Sequence, residues 1–333
     1  MSLQIVNGVL SIVDGYALIE PTHQSVIFAF GGLIGQQGVI STTNTFSYPG
    51  VMSNDIAGVG TPRANPAAAG YGGDKAIFGF GEPSSLGSCS LTNLVSNTGV
   101  MALDTAGVAD SARRLAAAGY GGDKAIFGFG ISDLYSITNH TYLVSNSGVM
   151  ASSYSGVGTA RWGLSAAGYG GDKAIFAYGD VNLTNPITST TTYNLVSNTG
   201  VVASDSTPSL GGIGIVGVAA GYGGDKAIFA WGYNVTGPGF GTYSDIQTYS
   251  LVSNTGTFVS SGTTVGAGRN FAGGASYDGD KAVFGFGGGN NGLGVFYETN
   301  TYNIISNTGV IASDSTALNA SIRTGVAAGP YGG

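Results

Sequence analysis

A short segment recurs along the chain and constrains the fold more than any other feature. It reads Ala-Ala-Gly-Tyr-Gly-Gly-Asp-Lys-Ala-Ile-Phe-Gly-Phe-Gly at residues 68–81 and returns almost unchanged at 117–130, 166–179 and 219–232. More divergent copies span 272–287 and end at Gly32. The aspartate of the Asp-Lys pair stands at positions 74, 123, 172, 225 and 280, which are 49, 49, 53 and 55 residues apart. A period of this size indicates a repeat architecture.

Each repeat contains four short apolar runs separated by glycine and asparagine. The later half of the repeat is clearest at Asn194–Asp205, and relatives of it stand at 93–104, 143–152, 251–259 and 303–314. Apolar runs of this length between Gly and Asn predict strands. Gly and Asn supply the positive φ of tight hairpins, and closely spaced Gly would destabilise a helix. The chain is therefore predicted to be all-β.

Composition excludes several classes of function. Only 9% of the residues are charged and the net charge is −7, so the clustered basic residues of a nucleic-acid binder are missing. No apolar run approaches the roughly 20 residues of a membrane span. The single cysteine, Cys89, and the two isolated histidines, His23 and His140, form no catalytic or metal-binding motif. We expect no enzyme activity, no catalytic residue, no metal and no cofactor.

The few basic residues occupy repeated positions. All five lysines belong to Asp-Lys pairs, and five of the six arginines stand shortly before the small first strand, Arg113 being the exception. One interpretation is a ring of charge that binds a ligand. The alternative, which we favour, is that each Asp-Lys pair and each arginine tethers neighbouring units or solvates a rim.

The two ends of the chain are out of phase with the repeat. Residues 1–14 resemble the later half of a unit, with an Asn7-Gly8 hairpin turn, whereas residues 322–333 resemble a first strand. Pairing these segments in one blade would close a ring of sheets and remove its open edges. We therefore predict a single β-propeller domain over residues 1–333, with four-stranded antiparallel blades. Seven blades, one split between the termini, are favoured; six blades with an accessory hairpin are the alternative.

The repeat resembles a kelch repeat over nearly the whole chain. The likeness lies in the arginine, the small first strand, the second strand ending in Phe-Gly, and a third-strand aromatic such as Tyr193, Tyr249 or Tyr302. The kelch Gly-Gly doublet survives only at Gly31-Gly32 and Gly287-Gly288, and the expected fourth-strand tryptophan is absent. Gly-Tyr-Gly-Gly is weakly similar to the regulator-of-chromosome-condensation propeller repeat, without its histidine. Both resemblances imply a propeller.

Binding is expected on loops rather than in a catalytic centre. In an antiparallel blade the uniform Tyr-Gly-Gly-Asp and Ser-Asn-Thr-Gly turns share one face of the ring, and the second-to-third-strand loops share the other. These loops vary in length and sequence, and loops on a rigid scaffold commonly carry function. The candidate binding residues are the aromatic residues of these loops: Tyr135, Phe240, Tyr243, Phe296 and Tyr297.

The leading hypothesis for function is a non-enzymatic module of a phage or virus particle, a tail, fibre or capsid structural protein or adhesin. It rests on a Gly-, Ser-, Thr- and Asn-rich, weakly charged composition, and on a likeness to kelch-like repeats of viral proteins. Partners would be other virion or scaffold proteins, or a host-surface glycan or receptor. The protein would then be found in the virion or outside the cell. The alternatives are a cytoplasmic kelch-like interaction scaffold and a secreted lectin or enzyme.

Overall fold

The computed structural model describes residues 2–6, 9–13, 23–33, 38–83, 87–107, 110–184, 188–208, 214–236, 242–290 and 296–333. Within these ranges the chain forms strands, bridges and turns and no helix, so the prediction of an all-β chain is confirmed.

The strands are short and follow one another throughout the described ranges. In the first part of the chain they are β1 (Ser2–Val6), β2 (Val9–Val13), β3 (Ser25–Leu33), β4 (Gly38–Ser47), β5 (Val51–Met52), β6 (Ala67–Tyr71), β7 (Lys75–Gly79), β8 (Thr92–Val95), β9 (Ala112–Arg113), β10 (Ala116–Tyr120), β11 (Lys124–Gly128), β12 (Ile131–Ser132), β13 (Thr141–Val144), β14 (Ser165–Tyr169), β15 (Lys173–Ala177) and β16 (Tyr193–Val196). The remainder are β17 (Val218–Tyr222), β18 (Lys226–Ala230), β19 (Tyr233–Thr236), β20 (Thr242–Asp245), β21 (Thr248–Val252), β22 (Phe258–Thr263), β23 (Gly273–Tyr277), β24 (Lys281–Gly285), β25 (Gly288–Asn290), β26 (Phe296–Glu298), β27 (Thr301–Ile305), β28 (Ser315–Thr316) and β29 (Ala327–Tyr331).

Most of these strands belong to antiparallel sheets that repeat one arrangement, which we name sheets A to F. Sheet A is β6-β7-β8, sheet B is β10-β11-β13, sheet C is β14-β15-β16, sheet D is β17-β18-β21-β22, sheet E is β23-β24-β27-β28 and sheet F is β29-β3-β4-β5. In sheets A, B and C, isolated bridges such as Val95 to Met101 add a fourth segment. The pairs β1-β2, β9-β12, β19-β20 and β25-β26 form small additional sheets.

The first strands of the sheets lie next to one another in a fixed order. β6, β10, β14, β17, β23 and β29 contact each other in this sequence, and β29 also contacts β6. The second strands, such as Lys124–Gly128, are buried along nearly their whole length because neighbouring sheets cover both of their faces. First strands such as Ala116–Tyr120 instead alternate buried and half-buried residues, as expected when one face looks onto a central space.

Backbone hydrogen bonds join each sheet to the next at the Tyr-Gly-Gly-Asp turns. The amide of Gly72 in sheet A donates to the carbonyl of Asp123 in sheet B at 2.7 Å. Equivalent bonds are Gly121 to Asp172, Gly170 to Asp225, Gly223 to Asp280, Asp278 to Gln24 and Gly332 to Asp74. These bonds link A to B, B to C, C to D, D to E, E to F and F to A.

An aromatic residue with positive φ follows the second strand in sheets A to E and lies within β3 in sheet F. These residues, with φ between 62° and 66°, are Phe30, Phe80, Phe129, Tyr178, Trp231 and Phe286. A bulky side chain in this region costs about 1–3 kcal/mol. In return, each ring packs against an aromatic ring of the following sheet with centroids 5.3–5.8 Å apart, as Phe129 does against Phe176. The strained backbone at each of these positions therefore places an aromatic ring in the space between neighbouring sheets.

The C-terminal strand pairs with a different segment from the predicted one. We expected residues 322–333 to join residues 1–14. In the structure β29 pairs along its length with β3, from Tyr331 opposite Ser25 to Ala327 opposite Ala29, whereas β1 pairs with β2 in a sheet of their own. The physical reason is that β3 contains the apolar Phe-Ala-Phe-Gly pattern of a second strand, so it pairs with the first strand that its own sheet lacks.

Candidate functional site

The two ends of the sheets differ in how uniform they are. In sheet B, Asn146 Nδ2 in the third-to-fourth-strand turn donates to Asp123 Oδ2 in the first-to-second-strand turn at 3.0 Å, so both turns lie at the same end. We call this end, formed by residues 70–74 and 96–100 of sheet A and their equivalents, the turn end. The opposite end, formed by the second-to-third-strand loops and the links before the first strands, is the loop end.

Three of the predicted binding residues lie at the loop end within the described ranges. Tyr135 is 50% exposed, has a φ of 55°, and lies with its ring 4.7 Å from the guanidinium carbon of Arg113. Phe296 is 47% exposed and belongs to the β25-β26 hairpin. Tyr297 is half-buried, and its hydroxyl donates to the carbonyl of Gly268 at 3.5 Å.

The two other predicted residues can be placed only in part. Phe240 lies outside the described residues. The backbone of Tyr243 pairs with Val235 in the β19-β20 hairpin, and its side chain lies outside the described part of the chain. The hairpins β19-β20 and β25-β26 are neighbours, since β20 contacts β25.

A half-buried carboxylate connects these two hairpins. Asp245 at the end of β20 accepts hydrogen bonds from the backbone amide of Asn290 in β25 at 2.6 Å and from Asn270 Nδ2 at 3.1 Å. Burial raises the pKa of Asp245 above its ordinary value, and these two bonds oppose the rise. The loops of sheets D and E are therefore held together rather than independent.

Around the centre of the loop end, six residues with positive φ stand two positions before the first strands. They are Asn65, Arg114, Gly163, Val216, Phe271 and Gly325, with φ between 50° and 65°. Five backbone hydrogen bonds connect them in series, such as Val216 N to Gly163 O at 2.6 Å. A β-branched or aromatic residue with positive φ is an outlier of the kind that clusters at functional sites.

These residues surround a cavity of about 120 Å³ between the first strands of all the six sheets. Arg114 is the charged residue of its lining. Its Nε donates to Glu82 Oε1 at 2.7 Å, and its guanidinium lies 5.3 Å from the ring centroid of Trp162 and 5.8 Å from that of Phe271. The arrangement presents a guanidinium beside aromatic and apolar surface, which suits a carboxylate or a planar polar group.

Four other arginines hold neighbouring sheets together. Arg161 is fully buried; its guanidinium stacks on Phe129 of sheet B at 4.2 Å and its Nη2 donates to Asn194 Oδ1 of sheet C at 2.7 Å. Asn194 in turn donates to Asp205 Oδ1 at 2.9 Å. The same arginine-asparagine-aspartate sets are Arg63-Asn93-Asp104, Arg269-Asn303-Asp314 and Arg323-Asn44-Asp55. These arginines act as tethers between sheets.

The three members of this set are present or absent together. Sheet B has Ala112, Tyr142 and Ser153 at the corresponding positions, and sheet D has Gly214, Ser250 and Ser261. Burial lowers the pKa of Arg161 to about 10. Because a buried guanidinium is costly without acceptors, the arginine occurs only where its partners do. Arg113 and Arg114 follow Ala112, the residue at the tether position of sheet B. Arg114 is therefore not a tether and lies at the central cavity.

The described ranges bring together no group of three or more His, Cys, Asp or Glu side chains that could hold a metal ion. No helix in these ranges is long and apolar enough to cross a membrane.

Sequence reasoning missed Arg114, Val216 and Phe271, although a signal was present. The first strands that follow these positions are nearly identical in sheets A, B and C, yet the residue two places before them is Asn65, Arg114 or Gly163. Side chains that vary at one position of a strict repeat indicate a position released from the structural demands on the repeat.

Comparison with known proteins supports the fold alone. No protein-family model matches the sequence, and no curated protein matches it. A solved structure titled "Structure of YjhT" is similar, with a TM-score of 0.62 and 13% sequence identity, over 85% of this chain and 97% of that chain. At this identity the likeness indicates a shared fold and carries no function.

Proposed function

We propose that sheets A to F are the six blades of a closed, kelch-like β-propeller. Three cyclic series support this proposal: the contacts between first strands, the hydrogen bonds between Tyr-Gly-Gly-Asp turns, and the aromatic pairs between sheets. Six blades correspond to the alternative of the sequence analysis. The favoured seven would need residues 1–14 to share a blade with residues 322–333.

We further propose that the protein is a non-enzymatic binding module that engages a protein or glycan partner at the loop end. One observation carries this: the side chains that break the repeat converge there. Arg114 and Phe271 line the central cavity, while Tyr135 and Phe296 stand half-exposed on the surrounding loops. A central arginine surrounded by aromatic side chains is the composition of an interface anchor.

Binding to a partner is tested with variants at both ends. Labelled protein is screened on a glycan array and against surface proteins of host cells. Arg114→Ala combined with Phe296→Ala should weaken binding to any partner identified in these screens by about 1–2 kcal/mol. The control is Thr199→Ala at the turn end, where the hydroxyl contacts Ser197 Oγ at 2.9 Å on an exposed surface. Loss of binding in the control alone would move the function to the turn end.

Association with a phage or virus particle is a separate proposal that rests on composition and on the likeness to viral kelch-like repeats. Mass spectrometry of purified particles tests it directly. Detection of the chain at a fixed ratio to capsid protein would support a virion module. Its presence only in the host-cell fraction would favour the cellular scaffold.

A further inference from the structure

A second cavity, of about 230 Å³, opens at the turn end around the same central space. Sheets A to D each contribute to its lining a tyrosine from the end of the first strand and a lysine from the start of the second. The tyrosines are Tyr71, Tyr120, Tyr169 and Tyr222, and the lysines are Lys75, Lys124, Lys173 and Lys226. Gln24, Ser276 and Pro330 line the remaining side. We call this site the lysine arc.

The lysines of the arc are held toward the cavity, and their aspartates are held away from it. Lys173 Nζ donates to Asp172 Oδ1 at 2.7 Å, and Asp172 Oδ2 accepts a hydrogen bond from Asn198 Nδ2 at 3.0 Å. Asp123 is held in the same way by Lys124 and Asn146. Among the described residues that line the cavity, the four lysines appear and the aspartates of the Asp-Lys pairs do not. Each pair is therefore oriented with its positive end inward.

The arc has donors left for a ligand. An ammonium group has three N–H donors, and the Asp-Lys hydrogen bond uses one of them. Because the paired aspartates do not line the cavity, the four ammonium groups are the charges nearest to an anion bound at its centre. The tyrosine rings extend away from the arc to the next sheet, where a Cβ on Gly200 would lie 3.1 Å from the hydroxyl of Tyr120, so the lysines supply the side-chain donors.

Sheet E departs from this arrangement and provides an internal control. Lys281 does not line the cavity, and its Nζ lies 2.6 Å from Asp278 Oδ2 and 3.6 Å from Asp280 Oδ1. Asp278 also contacts His23 Nδ1 at 2.5 Å. Lys281 thus has the same place in the repeat as the arc lysines, but it is paired with two carboxylates, whereas Lys173 is paired with one.

We propose that the lysine arc binds a multivalent oxyanion, whose phosphate or sulfate groups accept hydrogen bonds from several lysines at once. The cavity volume is several times the roughly 30 Å³ that one water occupies in the liquid, so an anion with more than one charged group fits. The site lies at the opposite end from the proposed partner-binding surface and is independent of it. The sequence-based alternative of a charged ring for a ligand thus applies to the lysines, whereas the arginines tether sheets.

The experiment uses the full-length protein and isothermal titration calorimetry with two probes. Inorganic tripolyphosphate represents phosphate groups, and a sulfated heparin disaccharide represents sulfate groups. Wild type should bind at least one probe, with an affinity that falls as sodium chloride is added. Binding of one probe alone would support the site and identify the source of its anion. Absence of binding by both probes at low ionic strength would overturn the proposal.

The variants separate the arc from general surface charge. Lys124→Gln with Lys173→Gln should lower the affinity at least about tenfold, since two charge-assisted hydrogen bonds are removed. Lys281→Gln removes the same charge outside the cavity and should change the affinity by no more than about twofold. An equal loss in both variants would overturn the proposal. If the double variant fails to fold by circular dichroism, single Lys75→Gln and Lys226→Gln are titrated, and wild-type affinity in both would contradict it.

Discussion

The turn end and the loop end are built from the same strands, but they tolerate change very differently. At the turn end the Tyr-Gly-Gly-Asp sequence is the same in four sheets, and its first glycine lies close to the next sheet. A Cβ on Gly121, where φ is 63°, would lie 2.9 Å from the carbonyl oxygen of Asn198, and the amide of Gly121 is needed for the bond to Asp172.

At the loop end, positions with similar φ carry Asn65, Arg114, Val216 and Phe271 as well as glycine. Four of these six positions therefore accept the cost of a side chain with positive φ. Uniformity at the turn end therefore reflects backbone constraint, whereas the loop end accepts different side chains in one backbone conformation. A uniform end can also bind a ligand, as we propose for the lysine arc, but there each contributing sheet offers the same group.

The largest expected effect on stability concerns the buried arginines that tether neighbouring sheets. These arginines lie at the loop end, in the links before the first strands. Asn194→Ala leaves Arg161 Nη2 without its acceptor in a fully buried place, and should lower the free energy of unfolding by about 3 kcal/mol. Ser250→Ala is the matched control in sheet D, which has no such arginine, and should cost about 1 kcal/mol. Chemical denaturation measures both, and equal losses would show that the arginine does not depend on its asparagine.

A smaller effect tests why the turn end is uniform. Gly121→Ala and Gly122→Ala both place a side chain at positive φ, with a cost of about 1–2 kcal/mol each. Only Gly121 faces a close neighbour, since a Cβ on Gly122 meets nothing within 4 Å. Gly121→Ala should therefore be less stable than Gly122→Ala by at least about 1 kcal/mol. Indistinguishable melting temperatures would mean that φ alone, and not the contact between sheets, preserves this turn.

The smallest expected effect is a difference in pH dependence between the ends. At the turn end, the pKa of Asp172 is lowered mainly by its hydrogen bond from Lys173, so its contribution to stability is present above about pH 4 and is lost as the pH falls. At the loop end, burial raises the pKa of Asp180 despite bonds from the amides of Asn182 and Thr188. Its contribution is present below about pH 4 and is lost as the pH rises through the folded-state pKa.

Asp180→Asn should therefore melt about 2 °C or less above wild type at pH 7 and at the same temperature as wild type near pH 3. Asn182→Ala, which keeps the backbone amide that Asp180 accepts from, serves as the control and should leave the pH dependence unchanged. A variant that melts below wild type at pH 7 would show that the ionised carboxylate is stabilising there.

Only part of the candidate site at the loop end could be predicted from the sequence. The variable loops pointed to Tyr135 and Phe296, and the structure places both half-exposed at the loop end. Arg114 was grouped with the arginines before the first strands, because spacing alone does not distinguish it from Arg161. The tether position and the cavity position differ by only two residues along the chain. The packing of Trp162 and Phe271 around the guanidinium of Arg114 shows that this residue occupies the cavity position.

The sequence by itself determined what depends on local forces: strands between glycine and asparagine turns, a repeating unit of four apolar runs, and the absence of helix in the described ranges. It also located the variable loops. Tertiary structure decided what depends on residues far apart in the chain. β29 could pair with either end of the N-terminal region, and it pairs with β3 because burying a second strand on both faces requires a first strand beside it. The inward direction of the arc lysines also depends on residues far apart in the chain. Lys173 points inward because Asn198, in another turn, holds Asp172 from the other side.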